Sequence, residues 1–99
     1  MKKIINGEIV DADAGETIAD RTSARSSSND PIGWEYILLI DGIYYIETVG
    51  GNDIYSPEDD LDEIGCGDAL LPYVTDHDEW ARNTGLIEHI EDLGLREDE

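Results

Sequence analysis

The sequence predicts an α+β fold: a small antiparallel sheet centred on a Trp34–Val49 hairpin, with two or three short acidic helices in the C-terminal half. Three observations predict it. Asp41-Gly42 separates two runs of β-branched, aromatic and aliphatic residues, a strong hairpin signature. Two helix-start patterns follow, at Ser56-Pro57-Glu58 and Thr75-Asp76-His77-Asp78. Leu86, Ile87, Ile90 and Leu93 then recur at helical spacing.

In chain order, Asn6-Gly7 lies between Lys2–Ile5 and Glu8–Val10. It supplies the two positive-φ residues of a type I′ turn and predicts a short opening hairpin. Thr17-Ile18-Ala19 reads as a short strand or one helical turn. Thr22 to Gly33, rich in Ser, Asn and Pro, reads as a mobile loop. A two-residue turn at Asp41-Gly42 pairs Ile40 with Ile43, Leu38 with Tyr45 and Tyr36 with Glu47. One face then carries Trp34, Tyr36, Leu38, Ile40, Ile43, Tyr45 and Val49; the other carries Ile37, Leu39, Tyr44 and Ile46, with Glu35 and Thr48 at its end. Both faces are apolar at their centre and need cover. Helices suit one; loops or a second subunit would serve the other, so a homodimer through that face is an expectation. The sheet is expected to hold three to five strands. Ser56 as N-cap and Pro57 at the first helical position predict a helix over 58–64, stopped by Gly65. Gly65-Cys66-Gly67 reads as a loop and Ala69–Val74 as extended, because Pro72 interrupts it. The Thr75–Asp78 capping pattern predicts a helix through Trp80 to about Asn83. A last amphipathic helix, capped by Gly94, runs to Leu93. Residues 1–95 are expected to form one domain, and 96–99 a frayed acidic tail.

Charge is the strongest global feature. Twenty-five Asp and Glu face six Lys and Arg over 99 residues, a net charge of −19, while 39% hydrophobic residues still permit a core. A chain of this size buries only about 60–65% of its unfolded surface. Residues 1–50 hold four basic and nine acidic side chains; residues 51–99 hold two and sixteen. Such a chain is repelled by nucleic acid and by anionic lipid, and its expected partner is cationic. No apolar run approaches the length of a membrane span, and the two isoleucines after Lys2-Lys3 do not make a secretion leader. The single cysteine, Cys66, forbids an internal disulfide and fits a reducing, cytoplasmic setting.

Few patterns point to catalysis or metal. A nucleophile–base pair would need Cys66 or a serine near His77 or His89, and none of these has an activating context. Asp11-Ala12-Asp13-Ala14-Gly15-Glu16 begins like a calcium loop. Its Gly falls one place early, and Thr22 stands where the bidentate Glu belongs. There is no nucleotide-binding glycine motif and no zinc-protease motif. The expectation is a chain without catalytic residues, metal ligands or cofactor. The carboxylates remain as a candidate surface for a partner: Glu58, Asp59, Asp60, Asp62 and Glu63, then Asp76, Asp78 and Glu79, then Glu88, Glu91 and Asp92. On helices, acids three or four apart would sit about 5–6 Å from each other, comparable with neighbouring phosphates along a nucleic-acid strand. Tyr55 or Tyr73 could add an aromatic anchor beside them. A solvating coat is the plainer account of acidic residues. Yet a charge of −19 destabilises a compact state by self-repulsion, which favours a use outside folding. Halophilic adaptation also yields acidic surfaces, but 13 Ile against three Val is unlike the Val-rich composition of such chains.

The opening Lys2-Lys3-Ile4-Ile5-Asn6-Gly7, with Val10-Asp11 and Ala14, resembles a family of small phage and mobile-element proteins. These open with Lys-Lys-Ile-Ile-Asn-Gly, two residues, then Tyr-Asp-Thr and a nearby Thr-Ala. Trp34-Glu35, Gly50-Gly51, Pro72-x-x-Thr75 and Trp80-Ala81 resemble the family's later landmarks. Val10 stands where the family has Tyr and Ala12 where it has Thr, and the second half is far more acidic. The resemblance implies a mobile-element setting and carries over no enzymatic activity. Small acidic proteins of that setting are similar in kind to anti-CRISPR and anti-restriction inhibitors, many of them DNA mimics. The expected partner is therefore a basic nucleic-acid-binding host complex, a CRISPR effector or a restriction enzyme. The alternative is an immunity or antitoxin-like protein that binds one cognate basic nuclease. A small enzyme or metal-dependent module is a third reading, and it needs Cys66, His77 and His89 to converge.

Overall fold

A computed structural model describes residues 1–80 and 82–94; the tail expected to fray, 96–99, lies outside the described residues. Strands β1 (Lys2–Ile5) and β2 (Glu8–Asp11) form the opening hairpin. Strands β3 (Glu16–Arg25), β4 (Pro31–Ile40), β5 (Ile43–Gly50) and β6 (Asp60–Gly65) form an antiparallel sheet in sequence order. Helices α1 (Gly67–Asp76) and α2 (Thr84–Asp92) follow. The architecture is α+β with strands dominant.

Both short hairpins close as their turn residues require. Asn6 and Gly7 take φ of 52° and 82°, and Asp41 and Gly42 take 50° and 81°, the paired left-handed residues of a type I′ turn. In the central hairpin Ile40 pairs with Ile43, Leu38 with Tyr45 and Tyr36 with Glu47, the register expected from the two-residue turn.

The two faces of the sheet are covered by different means. On one, Ile37 and Tyr44 join Ala19, Leu70, Val74, Trp80, Leu86 and Ile90, so both helices close it. On the other, Leu38 and Tyr45 join Leu61, Val10 and Ala12, with Ile5 packed against them. The face for which loops or a second subunit were alternatives is covered by the opening hairpin of the same chain.

Four expectations are corrected. Thr22–Arg25 and Pro31–Gly33 are not loop: they extend β3 and β4 into a long hairpin whose turn is only 26–30, closed by the Asn29 and Ser26 backbone amides. The Ser, Asn and Asp of 26–30 do form a turn, but Thr22 and Ser23 before it lie on a strand supported by cross-strand pairing. Residues 58–64 are not helical; 60–65 form the edge strand β6. Ser56 caps nothing, since its amide closes a turn onto the Asp53 carbonyl, and Pro57 lies against Gly33, where a Cβ would come within 2.6 Å of its ring. Fully buried Leu61 sets the strand, because a β conformation lets it enter the core between half-buried Asp60 and exposed Asp62. Ala69–Val74 is helix despite Pro72, because Leu70, Tyr73 and Val74 at helical spacing all reach the core. Finally, Thr75–Asp78 opens no helix. Thr75 and Asp76 end α1, His77 is its C-cap, and Asp78–Trp80 is a single 3-10 turn.

Candidate acidic interaction surface

The candidate carboxylates fall into three groups, of which only the last lies wholly on a helix. Glu58 and Asp59 lie in the connection from β5, and Asp60, Asp62 and Glu63 on β6. Asp76 closes α1, with Asp78 and Glu79 in the turn after it. Glu88, Glu91 and Asp92 ride on α2. Helix α1 packs over β5 and β6, whereas α2 packs over β3, so the α2 acids lie towards the opposite edge of the sheet from β6. All eleven are exposed except half-buried Asp60.

The β6 group is tied into the fold. Lys3 donates to Asp60 Oδ1 at 2.7 Å and its ammonium lies 3.5 Å from Asp62 Oδ1. Asn6 donates to Glu63 Oε1 at 3.2 Å, and the Gly50 amide donates to Asp59 Oδ1 at 2.8 Å. The Lys3 hydrogen bond holds the Asp60 carboxyl below the usual carboxylate range, with the Leu61 amide adding to it. The Asp60 hydrogen bond holds the Lys3 ammonium above its ordinary value. Asp60, Asp62 and Glu63 therefore fasten the opening hairpin to the sheet edge.

The other two groups are held in place by buried neighbours, and among the described residues their carboxylates make no ion pair. Trp80, fully buried, anchors the 3-10 turn; its amide donates to the His77 carbonyl at 3.0 Å, and the Arg21 guanidinium lies 5.8 Å from its ring centre. Asn83 caps α2 by accepting from the Leu86 amide at 3.0 Å, and its own amide donates to the Asp20 carbonyl at 2.7 Å. Leu86 and Ile90 enter the core, and the Tyr44 hydroxyl hydrogen-bonds His89 Nε2. No carboxylate of α2 is ion-paired among the described residues.

The two tyrosines considered as anchors differ. Tyr55 is 79% exposed on the β5–β6 connection, beside Ile54 at 88%. Tyr73 is half-buried and stacked on His77, with ring centres 4.1 Å apart. Burial, then the Glu35 and Glu79 charges, push its hydroxyl up to about 12. Ile54 was absent from the expected surface; its only sequence signal is a large apolar residue among Gly, Asn and Asp.

The groups a catalytic or metal site would need lie on different elements. Cys66 precedes α1 and His77 ends it, about 16 Å apart along the helix axis. His89 is on α2, bonded to Tyr44. The calcium-like segment instead forms a 3-10 turn over Ala12–Ala14, with the Asp11 carboxylate accepting from the Asp13 amide. Among the described residues no three His, Cys, Asp or Glu side chains are grouped to hold a metal ion. No helix is long and apolar enough to cross a membrane among those residues. No family model, curated protein or solved structure matches the chain.

Proposed function

We propose that the protein is a non-enzymatic acidic inhibitor, anti-CRISPR-like in action. It would occupy the positively charged nucleic-acid-binding surface of a host defence complex, a CRISPR effector or a restriction enzyme, with carboxylates standing where phosphates bind. The observation that carries this reading is an imbalance at the surface. Ten of the eleven candidate carboxylates are exposed, whereas Lys3 and Arg21 are consumed in ion pairs inside the chain. Asp76, Glu91 and Asp92 also sit in the last turns of their helices, where the helix dipole disfavours negative charge. Folding gains nothing from acids placed there, so binding is the better reason for them.

Association with such a partner is fast and weakens with salt. The test is displacement of labelled target DNA from a purified, guide-loaded CRISPR effector and from a restriction endonuclease, at salt between about 50 and 200 mM. Wild type should displace DNA from at least one of them. A variant with Asp78→Asn, Glu79→Gln, Glu88→Gln and Glu91→Gln should lose displacement while keeping its fold. Equal displacement by both proteins overturns the acidic-surface reading, as does displacement that salt leaves unchanged.

A further inference from the structure

A groove of about 310 Å³ lies between β2 and the turn joining β4 to β5. It is lined by Val10, Ile40, Ile43 and Tyr45 together with the acids Glu8, Asp11 and Asp41, so its lining is part apolar and part acidic. The volume is at the lower end of the range of about 300–1,000 Å³ for small-ligand clefts, the scale of a side chain and not of a strand or helix.

Two further observations point to its occupant. Among the described residues no cation of this chain pairs with Glu8, Asp11 or Asp41. Tyr45, which lines the groove, is only 7% exposed, yet its hydroxyl makes no hydrogen bond among those residues. Burial and the charges of Glu63, Glu8 and Asp41 hold that hydroxyl above its ordinary pKa, so it stays protonated. The groove thus offers apolar side chains, a neutral hydroxyl and carboxylates with no counter-ion among the described residues.

We propose that this groove binds the side chain of an arginine presented by a partner protein. The alkyl stem would lie along Val10, Ile40 and Ile43, with the guanidinium against Glu8, Asp41 and the Tyr45 hydroxyl. Arginine fits better than lysine because its planar fork can bridge several acceptors and is more weakly hydrated. A purely apolar ligand would leave these carboxylates desolvated without a partner, and an anion would be repelled. The inference rests on the acidic-inhibitor reading only for the source of the arginine; the groove stands or falls by itself.

The test titrates the full 15N-labelled chain with N-acetyl-arginine methylamide in about 0.1 M salt, where exposed charges are screened beyond about 10 Å. Amide shifts should concentrate at residues 8–11 and 40–45. The norleucine analogue, with the stem but no charge, should bind at least about tenfold more weakly, as loss of a hydrogen bond to a charged group implies, and the lysine analogue should also bind more weakly. Glu8→Gln with Asp41→Asn should reduce arginine binding by a similar factor. Asn suits the first position of a type I′ turn, so that variant keeps its hairpin, and thermal unfolding confirms it. Asp20→Asn with Asp68→Asn, the same charge change at exposed acids outside both the groove and the acidic surface, should leave arginine binding intact. Shifts scattered over the acidic surface, equal loss in both double variants, or equal binding of the norleucine or lysine analogue would each overturn the proposal. Arginine binding without DNA displacement sinks only the acidic-inhibitor reading; displacement without arginine binding sinks only the groove.

Discussion

Strand β6 and helix α2 both bring carboxylates to the surface, and they use them differently. On β6, Asp60 and Asp62 hold Lys3, Glu63 accepts from Asn6, and Asp59 just before the strand caps Gly50. On α2, Glu88, Glu91 and Asp92 have no ion-pair partner among the described residues, and the last two oppose the helix dipole. Identical chemistry therefore serves assembly at one edge of the sheet and is left over at the other. An acidic residue cannot be assigned to a binding surface from its charge alone; what matters is whether folding already uses it.

The largest effects should come from the buried residues that set each region in place. Trp80→Ala removes the anchor of the 3-10 turn and should cost about 3–5 kcal/mol, and Leu61→Ala, on β6, about 2–5 kcal/mol. Denaturant titration measures both. Hydrogen exchange separates them: Leu61→Ala should release amides of the opening hairpin, which shares its core, and Trp80→Ala those of α2. Uniform loss of protection in both variants would show that the two regions open as one unit.

A smaller effect distinguishes the acids directly. Glu91→Gln with Asp92→Asn should stabilise the chain by about 0.3–1 kcal/mol at low salt, because unfavourable charge leaves the helix terminus. Asp60→Asn should instead destabilise it, since Lys3 loses its hydrogen-bonded partner. Thermal unfolding of the two variants side by side checks the sign of each.

The finest distinction is in pH dependence. The Asp60 carboxyl is depressed by the Lys3 hydrogen bond, so its contribution is present above about pH 4 and is lost as pH falls through its lowered value. The Lys3 ammonium is raised by the same bond, so its contribution is present below about pH 10 and lost as pH climbs through the raised value. Glu47 on β5 runs the other way. Burial raises its carboxyl, so carrying the charge at neutral pH destabilises the fold, and that penalty lifts as pH falls. Asp60→Asn should thus flatten the acid limb of the stability curve. Glu47→Gln should stabilise at pH 7 and lose that gain below about pH 4. Urea midpoints across the pH range resolve both.

Local chemistry written in adjacent residues was legible without coordinates. Asn6-Gly7 and Asp41-Gly42 dictate two type I′ turns, and a two-residue loop leaves one register for the strands beside it. The period of Leu86, Ile87 and Ile90 specifies α2, with positive-φ Gly94 just beyond its end. The excess of acid in the second half was equally plain, and with it ten exposed carboxylates of the eleven. What tertiary structure alone decided is where chains distant in sequence meet. Ser56-Pro57-Glu58 reads locally as a helix start, yet Leu61 reaches the core only if 60–65 pairs with β5. Pro72 reads as a break, yet the burial of Leu70 and Val74 outweighs one missing amide bond. The opening hairpin folds over the central one, and only that long-range contact turns Asp60 from a surface charge into a fastening and forms the groove beneath Glu8 and Asp41. Turns and periods are set by neighbours a few residues apart. Strand partners and shared cores are set by burial across the whole chain, which no local pattern contains.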